Sequence, residues 1–378
     1  MSLLGAHMTL LIGQSVPVPA PPTLMDVLDT VEVTHSDAER SGFQITFRAP
    51  RDPFSFIDYP IVANPLLRPG NRVILMVVLG VIPEVLFDGI ITHQQLSPSA
   101  EPGATTFAIT GEDVTVAMDR EEKAVEHLAQ PEVVIALKII ASYARYGLIP
   151  VVIPPPSFDA PIPVDRTPVQ RATDLGYLVE MAERYAYVFY VTPGPAPGMN
   201  TAYWGPPRRV SVPQPAITVD MAPDTNVSSI SIQNNAADVT TVEGAVQDRQ
   251  TNKKVPVRTM ASTRPPLALF SGLANPALRG VRAYKAEGGR TATQATAEAQ
   301  GQTEASTDIV KVEGELDMSR YGGLLKARAL VGVRGLGFTY DGLYYVQSVT
   351  SSVTRKGFTQ KFTATREGTG STVPVVRV

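Results

Sequence analysis

The chain has 378 residues, 44% of them hydrophobic and 18% charged. At about 150 residues per domain this allows two or three domains, and it excludes a disordered chain. A formal charge of −3 argues against a nucleic-acid partner or an anionic membrane surface. The absence of cysteine removes disulfides, thiolate nucleophiles and cysteine-held metals.

The first segment reads as β. Val31, Val33 and His35 alternate with Glu32 and Thr34, and Phe43, Ile45 and Phe47 with Gln44, Thr46 and Arg48, the period-2 pattern of half-buried strands. Ser41-Gly42 marks a turn. The apolar run Val73–Phe87, broken by Pro83 and Glu84, is too short to span a bilayer and is expected as buried strands. Met1–Gly13 has no basic n-region, so no secretory signal is expected. Beyond residue 112 the pattern changes. Pro131 opens a helix in which Val133, Val134, Leu137, Ile140, Ala141 and Ala144 fall at helical spacing, and which ends at Gly147. A proline-rich connection leads to a second helix over 173–185, then to an aromatic strand, Tyr187 to Val191. Short strands return at 201–265. Residues 291–307 are Ala, Thr, Gln and Glu without a large apolar residue, and are expected as an exposed helix or linker that orders on a partner. Residues 308–367 are β again.

Two distant stretches resemble each other. Phe87-Asp88-Gly89 and Tyr340-Asp341-Gly342 each lead into a β-like run, then a turn at Gly103 or Gly357. Each closes with Phe-x-x-Thr-x-Glu, at Phe107 and at Phe362. Leu66-Leu67-Arg68 and Leu324-Leu325-Lys326 precede the apolar strands. Asp-Gly supplies a turn or bulge, and each phenylalanine is expected in a core. The reading is a mainly β, α+β chain in which a β-domain is duplicated. Its parts are a first barrel at 1–112, an α/β insert at 113–200, a second barrel at 201–265 with 308–367, an exposed arm at 266–307 and a tail at 368–378.

Chemistry is sparse. His7, His35, His93 and His127 have no metal-ligand spacing, and there is no nucleophile elbow, Walker A loop or dinucleotide fingerprint. No catalytic residue, cofactor or metal is expected, and the chain is read as not an enzyme. The alternatives are a cell-wall hydrolase, with Glu112 and Asp113 as candidate acids, or a glycan- or cargo-binding module. Over 320–366, eight basic residues (Arg320, Lys326, Arg328, Arg334, Arg355, Lys356, Lys361 and Arg366) face one acid, Asp341. Strand parity puts Arg328, Arg334 and Lys361 on the polar face, which is expected to be cationic and to meet an acidic protein or line a lumen.

The run Tyr321-Gly322-Gly323-Leu324-Leu325-Lys326-Ala327-Arg328, then Gly335, then Tyr340-Asp341-Gly342-Leu343-Tyr344-Tyr345-Val346, resembles the late-control-D or baseplate-hub family of contractile phage tails and extracellular injection systems. Ala144 to Leu148, Gln170, Thr173-Asp174, Leu178, Ala182 to Tyr185 and Tyr187 resemble that family's second domain, which type VI secretion spike proteins share. Leu175 and Gly176 depart from the pattern where a bulky aromatic and an acid are usual. The resemblance implies tube-like barrels, two per chain, so that a homotrimer imitates the sixfold inner tube while offering threefold symmetry to a spike. It implies as partners the inner tube protein, other baseplate proteins and a cargo effector. No needle repeat follows, so the spike is expected as a separate protein. Assembly is expected in the bacterial cytoplasm, within a phage tail or released particle.

Overall fold

The period-2 segments become the strands of one large sheet. The computed structural model describes residues 2–3, 6–14, 16–50, 59–79, 82–101, 103–157, 163, 167–285, 288–355 and 357–374. Twelve strands carry the fold. The first six are β1 (Ala6–Gly13), β2 (Leu28–Ser36), β3 (Gly42–Arg48), β4 (Arg72–Leu79), β5 (Ile82–Ser97) and β6 (Thr106–Asp113). The second six are β7 (Gln214–Thr218), β8 (Val227–Asn234), β9 (Val310–Asp317), β10 (Leu330–Arg334), β11 (Gly342–Thr354) and β12 (Gly357–Arg366). The first half runs β1-β4-β5-β6-β3-β2 across the sheet and the second runs β7-β10-β11-β12-β9-β8. The order is the same, so the β module is duplicated. One pairing differs: β1 meets β4 antiparallel, whereas β7 meets β10 parallel.

The irregularities repeat as well. The β2–β3 ladder slips between Leu28 and Thr30, and β8–β9 slips between Val227 and Ser229. The β5–β6 ladder slips between Ile91 and His93, and β11–β12 between Val346 and Ser348. Before β4, Gly70 N donates to Ile91 O and Ile91 N to Asn71 O. Before β10, Arg328 N donates to Val346 O and Val346 N to Ala329 O. Bulges are specific features of a ladder, so they set the true correspondence. Leu66-Leu67-Arg68 and Leu324-Leu325-Lys326 do correspond.

The Asp-Gly and Phe pairs do not. Matching the bulges sets Phe362 beside Ile109, and Gln360 beside Phe107. Asp88 lies within β5, opposite Ile74, and binds Arg72 at 2.7 and 2.8 Å. Asp341 precedes β11 and accepts from Leu336 N at 2.7 Å. Of the two glycines, Gly89 and Gly342, only Gly342 has a positive φ, +127°. Gly89 is required for space, since a Cβ there would meet Glu112 O at 2.2 Å.

The two halves are not separate closed barrels. Thr30–Ser36 of β2 pairs antiparallel with Thr354–Ser348 of β11, so one open sheet crosses the chain among the described residues. A single core follows it: Val31, Val33, Ile45 and Phe107 from one half, Val349, Val353 and Phe362 from the other.

Domain boundaries also differ from expectation. The insert extends past residue 200. Its middle strand is Asn200–Gly205, between Leu148–Val152 and Val188–Pro193. Helices α1 (Glu132–Ser142) and α2 (Asp174–Glu183) share its core with Trp204. Thr173 Oγ1 caps α2 through Gly176 N at 3.1 Å, so the missing acid does not weaken the start. Residues 240–305 form a further module, not barrel and arm. Thr240–Gln247 pairs with Lys254–Arg258 and Gly280–Ala283, and α3 (Ala292–Ala305) packs on them. The stretch expected to be exposed is this helix. It is fixed by a Thr291/Gln294 capping box and buries Ala295 and Ala299 against Val242, Val246 and Tyr284. Gly301 meets the backbone of Arg184 and Tyr185, a close approach open only to glycine. In the expected tail, Gly368–Ser371 is a strand paired with Ala268–Ser271. Residues 375–378 and Lys356 lie outside the described residues.

Phe107 and Phe362 are both buried, at 1% and 3% exposed. Truncating either to alanine is expected to cost about 3–5 kcal/mol, measured by urea unfolding. A near-neutral result at either position would remove it from the shared core.

Candidate assembly interface

The expected cationic face is not there. Arg366 is fully buried, donates to the carbonyls of Thr339 and Asp341 at 2.7 and 2.9 Å, and lies over the Tyr344 ring. Arg355 donates to the carbonyls of Asp26 and Leu28. Lys326 pairs with Glu84 at 2.8 Å. Arg334 is half-buried and donates to Thr218 Oγ1 at 2.9 Å. Lys361 is exposed, but its cross-strand neighbours are Thr350 and Glu315. The row Thr34, Thr350, Lys361, Glu315, Ser229 crosses five strands. That face is rich in hydroxyls and mixed in charge.

Arg328 departs furthest from expectation. It precedes β10 with φ +65°, the conformation that Gly70 holds in the first half. The side chain is 6% exposed. Its guanidinium donates to Ser36 O (2.5 Å), Ser41 Oγ (2.8 Å), Val191 O (2.9 Å) and Thr192 Oγ1 (3.1 Å). It lies 4.0 Å from the Tyr190 ring centre, a cation–π distance. One arginine therefore bridges the β2–β3 turn, the insert and the approach to β10. On the first half, Arg72 and Asp88 are tied to the insert through Asn200 Nδ2, 3.0 Å from Asp88.

A cleft of about 750 Å³ lies along this seam, lined by Asp37, Arg40, Asp113, Asp119, Glu180 and Arg328 among others. Three of its six acids are engaged. Asp113 caps Thr115 N at 2.9 Å, Asp119 binds Arg40, which also binds the neighbouring Glu112, and Glu180 binds Arg184. Burial raises Asp113 above the usual carboxylate value. Among the described residues no group of histidines and acids could hold a metal. Of the candidate histidines, His127 is buried and stacked on Tyr177. His93 is exposed at an edge. His35 Nε2 donates to Leu86 O at 2.8 Å.

Among the open strand edges of the described residues, two correspond to the strands that meet at the β2–β11 ladder. β8 pairs only with β9, leaving its far edge free. β5 is covered by β4 as far as Ile90, leaving His93–Ser97 without a strand on that side. Sequence parity located the strands, but only topology reveals which edges are left over.

These contacts set two expectations. Arg328→Ala should cost about 3–5 kcal/mol, because buried carbonyls lose a charged donor. Arg328→Gly should cost about 1 kcal/mol less, since glycine accepts the left-handed backbone. Lys361→Glu should stay within ~0.5 kcal/mol; equal losses at Arg328 and Lys361 in urea melts would contradict the buried placement. The second expectation concerns pH. Burial, then the Arg328 charge, hold His35 down at about 4. Its stabilising effect is present above the unfolded value of 6.5 and is lost as pH falls through 4. Burial pushes Asp37 up to about 6. Its effect is present below 3.8 and is lost as pH rises through 6. Relative to the wild type, His35→Gln should gain stability on going from pH 6 to 4, and Asp37→Asn should lose it. Matching slopes for both variants would reject these assignments.

No family model matches the chain, and no curated protein matches it. Solved structures do. A tail protein from Neisseria meningitidis MC58 superposes with TM-score 0.66 at 11% identity, over 97% of this chain and 98% of that one. The 43 kDa tail protein of prophage MuSo2 from Shewanella oneidensis gives 0.63 at 13%, over 96% and 98%. A type VI secretion component of E. coli, structurally similar to T4 bacteriophage tail proteins, gives 0.53 at 11%, over 90% and 73%. The chain thus has the fold of phage tail proteins and type VI secretion components.

Proposed function

We propose that this chain is a structural baseplate hub of a contractile injection particle, and that it acts as a homotrimer. Three chains, each holding the β module twice, make a pseudo-hexameric ring. The ring initiates the inner tube on one side and adapts it to a separate trimeric spike on the other. The observation that carries this reading is the β2–β11 ladder. Inside one chain it joins the outer strand of one module to the flank of the next. The same joint is left unmade at β8 and at β5. Such a head-to-tail contact closes into a ring when its rotation divides a full turn.

The symmetry match also has a physical basis. In the first half β2 and β3 are joined by the short turn around Ser41, whereas in the second half β8 and β9 are joined through the α3 module. Three copies therefore repeat the sheet six times but the α3 module only three times, which suits a sixfold tube and a threefold spike. In this ring the hydroxyl-rich face around Thr350 and Lys361 lines the lumen. A neutral, mixed-charge lumen suits passage of cargo without tight binding. Other baseplate proteins are the remaining partners, and the particle assembles in the bacterial cytoplasm. Glu112 and Asp113, the acids that the hydrolase alternative needs, are held by structural contacts, so no hydrolase role is assigned.

Light scattering at increasing concentration, with negative-stain images of the product, tests the reading. A species of three 40.5 kDa chains with a six-lobed ring is expected. A chain that stays monomeric at high concentration and cleaves peptidoglycan would overturn it.

A further inference from the structure

The repeated bulges make the open edges specific, not merely free. β2 corresponds to β8 through the shared slip at Leu28/Thr30 and Val227/Ser229. β11 corresponds to β5 through the shared slip at Val346/Ser348 and Ile91/His93. The in-chain ladder aligns Thr34 with Thr350, Val33 with Ser351 and Glu32 with Ser352. Carrying each strand to its counterpart aligns Gln233 with Gln95, Ile232 with Leu96 and Ser231 with Ser97. We infer that β8 of one copy adds antiparallel to residues 93–97 of β5 in a second copy, in this register. The inference rests on the ring reading and specifies its joint.

Three observations on this chain support that occupant. The first is chemical matching. Gln233 meets Gln95, and Ser231 meets Ser97. In the made joint the corresponding Thr34 and Thr350 hydroxyls lie 3.0 Å apart. The second is the state of the core row. Val31 and Val33, at the made joint, are 1% and 0% exposed. Their counterparts Ile230 and Ile232, together with Leu96, are only partly buried against the same core. A covering strand completes that burial. The third is the lack of protection. Free edges in monomers are guarded by charge, proline or bulges. The bulges here sit at the start of each edge, at Val227/Ser229 and Ile91/His93; beyond them Ser229–Asn234 has neither a charged residue nor a proline, and His93–Ser97 has no lysine, acid or proline. A second copy fits better than an unrelated peptide, because the register and the side-chain pairing are those the chain already uses.

The chain has no cysteine, so introduced pairs report cleanly. Gln95→Cys/Gln233→Cys should give covalent dimers and trimers on mild oxidation, reversed by a thiol. Thr34→Cys/Thr350→Cys should close within one chain, giving no covalent dimer or trimer. Gln95→Cys/Ser229→Cys, out of register, should cross-link at least tenfold less. Hydrogen exchange on the unmodified chain gives an independent readout: amides at 93–97 and 229–235 should slow at least tenfold on assembly. A trimer that yields no 95–233 product, or equal 95–229 product, overturns the joint and leaves the ring standing. A chain that never associates overturns both.

Discussion

The ladder between Thr30–Ser36 and Ser348–Thr354 is the constraint that shapes the rest. A strand edge must satisfy its backbone groups, and here each half supplies the other's missing partner. The pairing makes the core continuous through Val31, Val33, Val349 and Val353. Arg328 then pins the joint at one end by donating to Ser36 O and to the insert at Val191 O. Because sheet, insert and the approach to β10 meet at one guanidinium, the halves are held in one relation. A platform that has to match a tube needs such fixed geometry.

Much of the sheet was legible in the residues. Alternation at Val31–His35 and Phe43–Phe47 gave the right strands and the right faces, since a buried face imposes period 2. The duplication was legible too, but partly for the wrong reason. Leu66-Leu67 and Leu324-Leu325 are true counterparts, while Asp88 and Asp341 serve different purposes. Side-chain identity drifts between copies, whereas bulges and loop bonds persist because the backbone cannot change them cheaply. One case shows this well. Leu67 O accepts from Gln94 on β5, and its counterpart Leu325 O accepts from Gln360 on β12. The need is conserved between the halves and its solution is not. The burial of α3 was missed because the usual signal, large apolar residues at helical spacing, is absent. The helix packs instead by small residues and by Gly301 at close range.

Charge was the least legible property. A tally of basic residues assumes that each reaches solvent. Here Arg328, Arg355 and Arg366 act as multi-pronged donors to backbone carbonyls, a geometry the planar guanidinium suits. Glu313 and Glu315 lie on β9, beyond the stretch that was counted, yet they sit beside the basic strand in space. Arg328 also takes a backbone conformation that its counterpart assigns to glycine, a local cost retained because four acceptors depend on that side chain.

The joint has one more consequence, in time. Thr34 and Thr350 are separated by 316 positions along the chain. At ribosomal speeds of about 5–20 residues per second, β2 waits roughly 15–60 s for its partner. Throughout that wait a strand with one apolar face presents an unpaired edge. Pairing at such sequence distance is slow to form, so the nascent first half carries an aggregation risk that the finished ladder removes. A holding chaperone, or a pause that lets β3 to β6 settle first, meets a need that no contact in the finished fold displays.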